Sequence, residues 1–272
     1  MIEPGIHPNL TNDEYHAHDS ISRSKLMDFA VNPYHYWAMH INSKRPPRKE
    51  KKAFEIGQAF HDLILQPDLF NREYKIEPEK VLLKDVGREE YDAYKAECAA
   101  LALSGATILS AEDYIKLDEM QDRLRNHKEA WSLIEGARYE ESYFWRDPHT
   151  DLLIKTKPDI LHPNMSVDFK TTRSASSRFF QNSIAEYGYH IQAAFVREGR
   201  HELEDVNVPN FINICMEKEY PYHLGIYIME EEAIDEGYHE YKQLLLDLKS
   251  AIRDNHWPDH DIQSIGLPAW YK

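Results

Sequence analysis

Lys157-Pro158-Asp159 and, nine residues beyond that aspartate, Asp168-Phe169-Lys170 are the stretch on which this chain is to be read. The second motif sits in Met165-Ser166-Val167-Asp168-Phe169-Lys170, where apolar and polar residues alternate as they do along a half-buried strand. Val167 and Phe169 then point to one side of a sheet, and Asp168 and Lys170 to the other. Pro158 lacks an N–H and disfavours a central strand interior, so Asp159 is expected at a strand end or bulge. Two carboxylates offer the hard oxygen ligands that Mg²⁺ prefers. An ion held there acidifies a bound water and neutralises phosphate charge. Lys170 can orient that water or steady the negative charge that develops. This is the equipment of a metal-dependent phosphodiesterase. An acid and a lysine on one strand face also make an ordinary surface salt bridge, and the pair alone does not separate the two.

Working outward, residues 139–145, 152–158 and 165–171 all alternate like strands and predict an antiparallel meander through the carboxylates. Asp147-Pro148-His149-Thr150 supplies the first turn and His162-Pro163 the second. Helices are expected at 175–184, 187–197 and 230–255, and strands at 211–215 and 222–227. Before the meander, Ser20 or Ser22 caps a short helix to Ala30, and Asn32-Pro33 restarts the chain into another over 34–41. A helix over 53–65 presents Phe54, Ile56, Phe60, Leu63 and Ile64 at helical spacing. Gly57 inside it suggests a close approach to another backbone. Short strands at 74–76 and 107–109 flank a helix over 89–103. Ser110, with an acid three residues on, opens a further helix to 127, and a short one follows over 128–134. The fold class is mixed α/β (α+β), a central mixed sheet flanked by helices. The organisation expected is one domain over 1–272, with 1–52 an N-terminal helical arm and 256–272 a tail.

Composition sets the limits. The chain has 272 residues and is 42% hydrophobic, enough for a core rather than a disordered segment. The start, Met1-Ile2-Glu3-Pro4, lacks signal-peptide character, and no apolar run spans a bilayer. Cys98 and Cys215 match no metal-ligand spacing and read as free thiols, so a cytoplasmic protein is expected. The net charge of -15, from 47 acids against 32 Lys and Arg, argues against nonspecific nucleic-acid binding by the surface as a whole. It leaves room for a local positive track beside a carboxylate cluster that metal neutralises.

Other residues have two readings each. His61, four after Gly57 on an apolar helix, is either a hydrogen-bonded core histidine or a ligand, better suited to Mn²⁺ than to Mg²⁺. Glu141 begins the first meander strand and can face the acids, with Glu140 facing away. Gln192, three after Tyr189, is either a solvent-face residue or a neighbour of the site. Thr172, Arg173, Ser174 and Arg178 follow the lysine near a helix start, where they either receive phosphates or form an ordinary capped loop. The basic run at 43–52, including Lys51 and Lys52, is either a solvated loop or an arm on the DNA backbone.

The ordered set Gly57-xxx-His61, Glu141, Pro158-Asp159, Asp168-Phe169-Lys170 and Tyr189-xx-Gln192 resembles the PD-(D/E)xK nuclease superfamily. More closely it resembles the nuclease domain of RecE-type phage and prophage exonucleases, and Ser22-Arg23-Ser24-Lys25-Leu26 with Asn32-Pro33-Tyr34-His35-Tyr36 looks like the opening of that domain. The resemblance covers the chain from about residue 10 to its end. It implies a restriction-endonuclease-like core and a 5′-to-3′ exonuclease on linear double-stranded DNA that uses one or two Mg²⁺ or Mn²⁺ ions. His61, Asp159, Asp168 and the main-chain carbonyl of Phe169 are the implied ligands. Lys170 serves the attacking water, and Glu141 and Gln192 stand beside the metals. It further implies a homo-oligomeric ring threaded by the duplex and a single-strand annealing protein as partner. Two departures are visible. Val196 stands where the broader family often has a tyrosine four residues after the glutamine, and two cysteines cannot build the four-cysteine iron–sulfur cluster of some relatives.

Overall fold

A computed structural model describes residues 2–46, 56–260, 262 and 264–267. The chain opens with strand β1 (Gly5–His7) and helix α1 (Asn12–Ala17), then α2 (Arg23–Val31) and α3 (Pro33–Tyr36), which continues as a π-helical turn over Trp37–Ile41. After residues that lie outside this description come α4 (Ile56–Leu65), α5 (Pro67–Glu73), β2 (Tyr74–Ile76), α6 (Arg88–Leu103) and β3 (Thr107–Leu109). Next are α7 (Ala111–Arg125), α8 (Lys128–Ser132), β4 (Arg138–Tyr139), β5 (Ser142–Arg146), β6 (Leu153–Thr156), β7 (Ile160–His162) and β8 (Met165–Thr172). The chain then runs through α9 (Ser177–Tyr187), α10 (Tyr189–Glu204), β9 (Asn210–Glu217), β10 (Leu224–Ile228) and α11 (Glu231–Asp254). Lys51, Lys52, most of the basic run and the aromatic pair Trp270-Tyr271 fall outside the described residues.

Local chemistry explains most of these boundaries. Ser22 caps α2 by accepting from the Lys25 N–H, and Ser110 caps α7 through the Asp113 N–H. Asn32 does the same for α3 ahead of Pro33, whose missing N–H is one a helix start does not need. Two helices escape the sequence expectation. The Thr11 and Glu14 capping box starts α1, and Pro67 starts α5. Both were within the sequence's signals, but each helix is under two full turns and has little periodicity to read. Residues 257–259 do not trail away from the body. Trp257 stacks on Tyr36 at 5.9 Å, and Asn32 donates to Asp259 at 2.9 Å.

The expected single meander is instead divided between two sheets. β1, β5 and β6 form an antiparallel three-stranded sheet. β10, β9, β8, β7 and β4 form a five-stranded sheet in that order, antiparallel except where β8 runs parallel to β9. The chain changes sheet twice. Between β4 and β5, Glu140 adopts φ 55°, which breaks the alternation of faces within 139–145. Between β6 and β7 stand Lys157, Pro158 and Asp159, and the proline cannot donate to a ladder. The parallel β8–β9 pair is joined through α9 and α10, as parallel strands require a crossover.

The hydrophobic interior has two halves. One joins α2, α10 and α11 to β5 and β6 through Leu26, Trp145, Phe195 and Tyr241. The other joins α4 and α7 to the five-stranded sheet through Phe60, Leu117, Val167 and Phe169. Val167 and Phe169 thus take the core side of β8, as the alternation requires. Among the described residues no helix is long and apolar enough to cross a membrane.

Candidate active site

The two sheet crossovers, the middle of β8 and the facing sides of α4 and α10 converge on one cleft of about 1310 Å³. His61, Glu140, Asp159, Lys170 and Gln192 line it together with residues of α1 and Arg23.

α4 delivers His61 one turn after Gly57, so both face β8. A Cβ at Gly57 would sit 2.5 Å from Thr171 Oγ1, so the glycine answers a close side chain rather than the close backbone expected from sequence. His61 Nε2 lies 3.3 Å from Glu140 Oε1 and 3.3 Å from Asp159 Oδ2. One ligand atom from each of the three residues falls within 4.8 Å of the others, a spacing that one ion can bridge. Glu140 Oε1 is buried and makes no hydrogen bond. An unsatisfied buried carboxylate oxygen beside an imidazole and a second carboxylate suits a divalent cation. The donor set therefore fits a metal.

Asp159 is fixed by the Phe169 N–H, which donates to its Oδ2 at 2.8 Å. Asp168, on the adjacent residue's opposite face, is 2% exposed. Its Oδ1 accepts from Gln192 Nε2 at 2.6 Å and its Oδ2 pairs with Lys170 Nζ at 2.6 Å. Lys170 also donates to Gln192 Oε1 at 3.2 Å and lies 4.9 Å from the centre of the Tyr189 ring. The strand alternation thus does bring Asp168 and Lys170 to one face, and α10 closes over them. The pair is a half-buried lysine lining the cleft on a buried acid, and not an exposed salt bridge.

The electrostatics follow from crowding charge in a buried place. Burial alone would push the His61 imidazole down, but the Asp159 and then the Glu140 carboxylates outweigh it and hold it up at about 9. Burial raises Glu140 to about 7, against the pull of His61 and Lys157. For Asp159 burial is outweighed by His61, with Lys170 and the Phe169 N–H adding to it, so that carboxyl is held below its usual range. Asp168 is pushed above it by burial despite Lys170. A proton on His61 Nε2 faces both carboxylates, where a cation held by all three groups would replace it.

One expectation needs correction. Glu141 does not face the acids; it pairs with Arg138 at 2.7 Å. Glu140 is the buried partner of His61 because its positive φ shifts the strand alternation by one residue. The sequence signal was the acid doublet, and only the backbone decides which acid turns inward. The loop of Thr172, Arg173, Ser174 and Arg178 lies outside the lining of the cleft, whose wall on β8 ends at Thr171, and its expected contact with phosphates is a separate matter from the metal cluster. β8 pairs with β9 as far as Thr172 and Glu217, and the Glu217 carboxylate then binds the Ala175 N–H, which carries the loop along β9. Thr172 and Ser174 bond to each other, and Arg173 lies over the Phe179 ring. Arg23 and Lys157 are cleft residues that sequence reasoning assigned no role; the Arg23 guanidinium donates to the Tyr187 carbonyl, and Lys157 pairs with Glu140.

The comparisons with known proteins bear on the family and the fold. A crystal structure of a Eubacterium rectale protein provisionally named an exonuclease superposes with a TM-score of 0.57 at 14% identity, covering 94% of this chain and 96% of that one. At that identity the likeness speaks for the fold. Among curated proteins none matches this chain. The family model described as a PDDEXK-like domain of unknown function (DUF3799) matches residues 22–265, nearly the whole chain, a range that contains His61, Glu140, Asp159, Asp168 and Lys170. The chain belongs to that PDDEXK-like family and has the PD-(D/E)xK nuclease fold.

Proposed function

We propose that this protein is a divalent-metal-dependent exodeoxyribonuclease that degrades linear double-stranded DNA in the 5′-to-3′ direction and leaves 3′ single-stranded ends. The observation that carries the nuclease chemistry is the Asp168–Lys170 pair at 2.6 Å beside the His61, Glu140 and Asp159 cluster. The direction and the preference for ends rest on the RecE-type resemblance.

His61, Glu140 and Asp159 would hold one Mg²⁺ or Mn²⁺, with the Phe169 carbonyl as a further oxygen ligand. Asp168 would serve that ion or a second one. When bound, the ion supplies positive charge to the phosphoryl oxygens and makes water a better nucleophile at neutral pH. Lys170 orients the attacking water and steadies the phosphorane-like charge. Gln192 touches both Asp168 and Lys170 and keeps them aligned. Water adds to phosphorus and one P–O ester bond breaks. The homo-oligomeric ring and the annealing partner belong to the same proposal, since a ring lets a channel carry positive potential while the outer surface stays acidic.

The test is digestion of linear duplex labelled at the 5′ or the 3′ end, with covalently closed circles alongside, in Mg²⁺ and in Mn²⁺. Early loss of the 5′ label with intact circles is expected. Lys170→Ala should lower turnover by about 10²–10³-fold, and Asp168→Ala by at least as much. Cutting of the circles would replace the exonuclease with an endonuclease of the same fold. Full activity in both variants would end the assignment.

A further inference from the structure

Lys157 and Glu140 occupy the two places where the chain passes from one sheet to the other. The Lys157 ammonium lies 3.3 Å from Glu140 Oε2, with the two side chains only 9% and 8% exposed. Its other partner is Asn12 Oδ1, at the start of α1. The two oxygens of Glu140 are therefore in different states. Oε2 faces the lysine, and Oε1 makes no hydrogen bond and lies beside His61. α1 is itself held in place. Its capping box is complete, with Glu14 N–H on Thr11 Oγ1 at 3.2 Å and Thr11 N–H on Glu14 Oε2 at 3.0 Å. The carbonyl of its buried Tyr15 accepts from Lys155 Nζ at 2.5 Å, two residues before Lys157 on the same stretch.

We propose that Lys157 is a positioning residue for the metal centre: it engages one oxygen of Glu140 so that the other is presented to the ion, and Asn12 holds Lys157 in that place. The N-terminal helix α1 is thereby part of the construction of the centre. This rests on the metal-nuclease reading above. Charge alone would argue the other way, because an ammonium this near repels a divalent ion. What the lysine contributes is geometry. Glu140 reaches the cluster from a left-handed backbone position between two short strands, with no other side chain among the described residues shown bonded to its Oε2. Without Lys157 that carboxylate can turn, and it loses a cationic contact, keeping His61 among the described residues. Outer-shell partners that fix a ligand's orientation are worth about 10–100-fold in metal affinity, and the direction of the change in Mn²⁺ affinity on removing the lysine separates this contribution from the repulsion.

The experiment is Mn²⁺ binding to the metal-free full chain, followed by loss of the free-ion EPR signal, for wild type, Lys157→Met, Lys157→Arg, Asn12→Ala and His61→Ala. Melting in EDTA confirms that each variant is folded. Lys157→Met is expected to weaken Mn²⁺ by about 10–100-fold. Asn12→Ala should weaken it in the same direction by less, and Lys157→Arg, which keeps a cationic donor, should restore most of the affinity. A merely structural role would not be rescued in this way. Wild-type affinity in both Lys157→Met and Asn12→Ala overturns the proposal. Should Lys157→Met not fold, Asn12→Ala decides by itself, because it leaves the lysine and glutamate in place. A wild type that takes up no Mn²⁺ overturns the metal reading and this inference with it.

Discussion

His61 shares one imidazole nitrogen between a buried carboxylate, Glu140, and a half-buried one, Asp159, each 3.3 Å away. That arrangement sets a proton balance. Its folded-state value of about 9 lies above the ordinary value for an unfolded chain, near 6.5. In the metal-free protein its contribution to stability is thus complete below about 6.5 and is lost as the pH rises through about 9. An ion requires the neutral imidazole. Binding at pH 7.5 must therefore expel about one proton per ion, whereas at pH 10 it should expel almost none. Calorimetry of Mn²⁺ binding in two buffers of different ionisation enthalpy measures the number directly. Zero proton release at pH 7.5 would mean that His61 is either neutral before the ion binds or not a ligand, and the pH dependence of the His61 imidazole resonances in the metal-free protein separates the two.

At the scale of elements, α4 and β8 meet where Gly57 faces Thr171. A methyl at Gly57 would sit 2.5 Å from Thr171 Oγ1, and Thr171 cannot rotate a smaller group into that space except its hydrogen. Overpacking of this kind costs about 1–3 kcal/mol. Alanine returns about 1 kcal/mol of helix propensity. Gly57→Ala should therefore be net destabilising in urea denaturation, and adding Thr171→Ala should recover the loss. Additive effects of the two substitutions would mean that the contact is not what requires the glycine. Because the same contact sets the distance from His61 to β8, the single variant should also lose metal affinity. The sequence had flagged Gly57 as out of place in a helix. It could not name Thr171, which lies more than a hundred residues away in the chain.

Over the whole molecule, a net charge of -15 has to be reconciled with a polyanionic substrate. The cleft is not a simple basic groove. Arg23, Arg72, Lys155, Lys157 and Lys170 line it alongside Asp13, Asp62, Asp68, Glu73, Glu140 and Asp159. Loading with a divalent ion tips that balance toward positive. Duplex affinity, measured by fluorescence anisotropy, should therefore rise by about tenfold when Ca²⁺ replaces EDTA, because the dication adds a net positive charge to the cleft even after one proton leaves His61. Equal binding in EDTA and in Ca²⁺ would place the DNA track elsewhere.

What the sequence determined by itself is the local part. Alternation in Met165–Thr172 put Asp168 and Lys170 on one face, and Ser22, Asn32 and Ser110 marked helix starts. The order of short motifs pointed to the fold class, because each motif sits within one element. The tertiary structure decided the rest. The division of the strands into two sheets, the parallel β8–β9 pair and the closing of Gln192 over Lys170 depend on contacts between distant segments. The choice of Glu140 over Glu141 depended on a single backbone angle. A change of one residue in register reverses every side chain of a strand, and nothing in a local pattern fixes that register; packing against the other layers does.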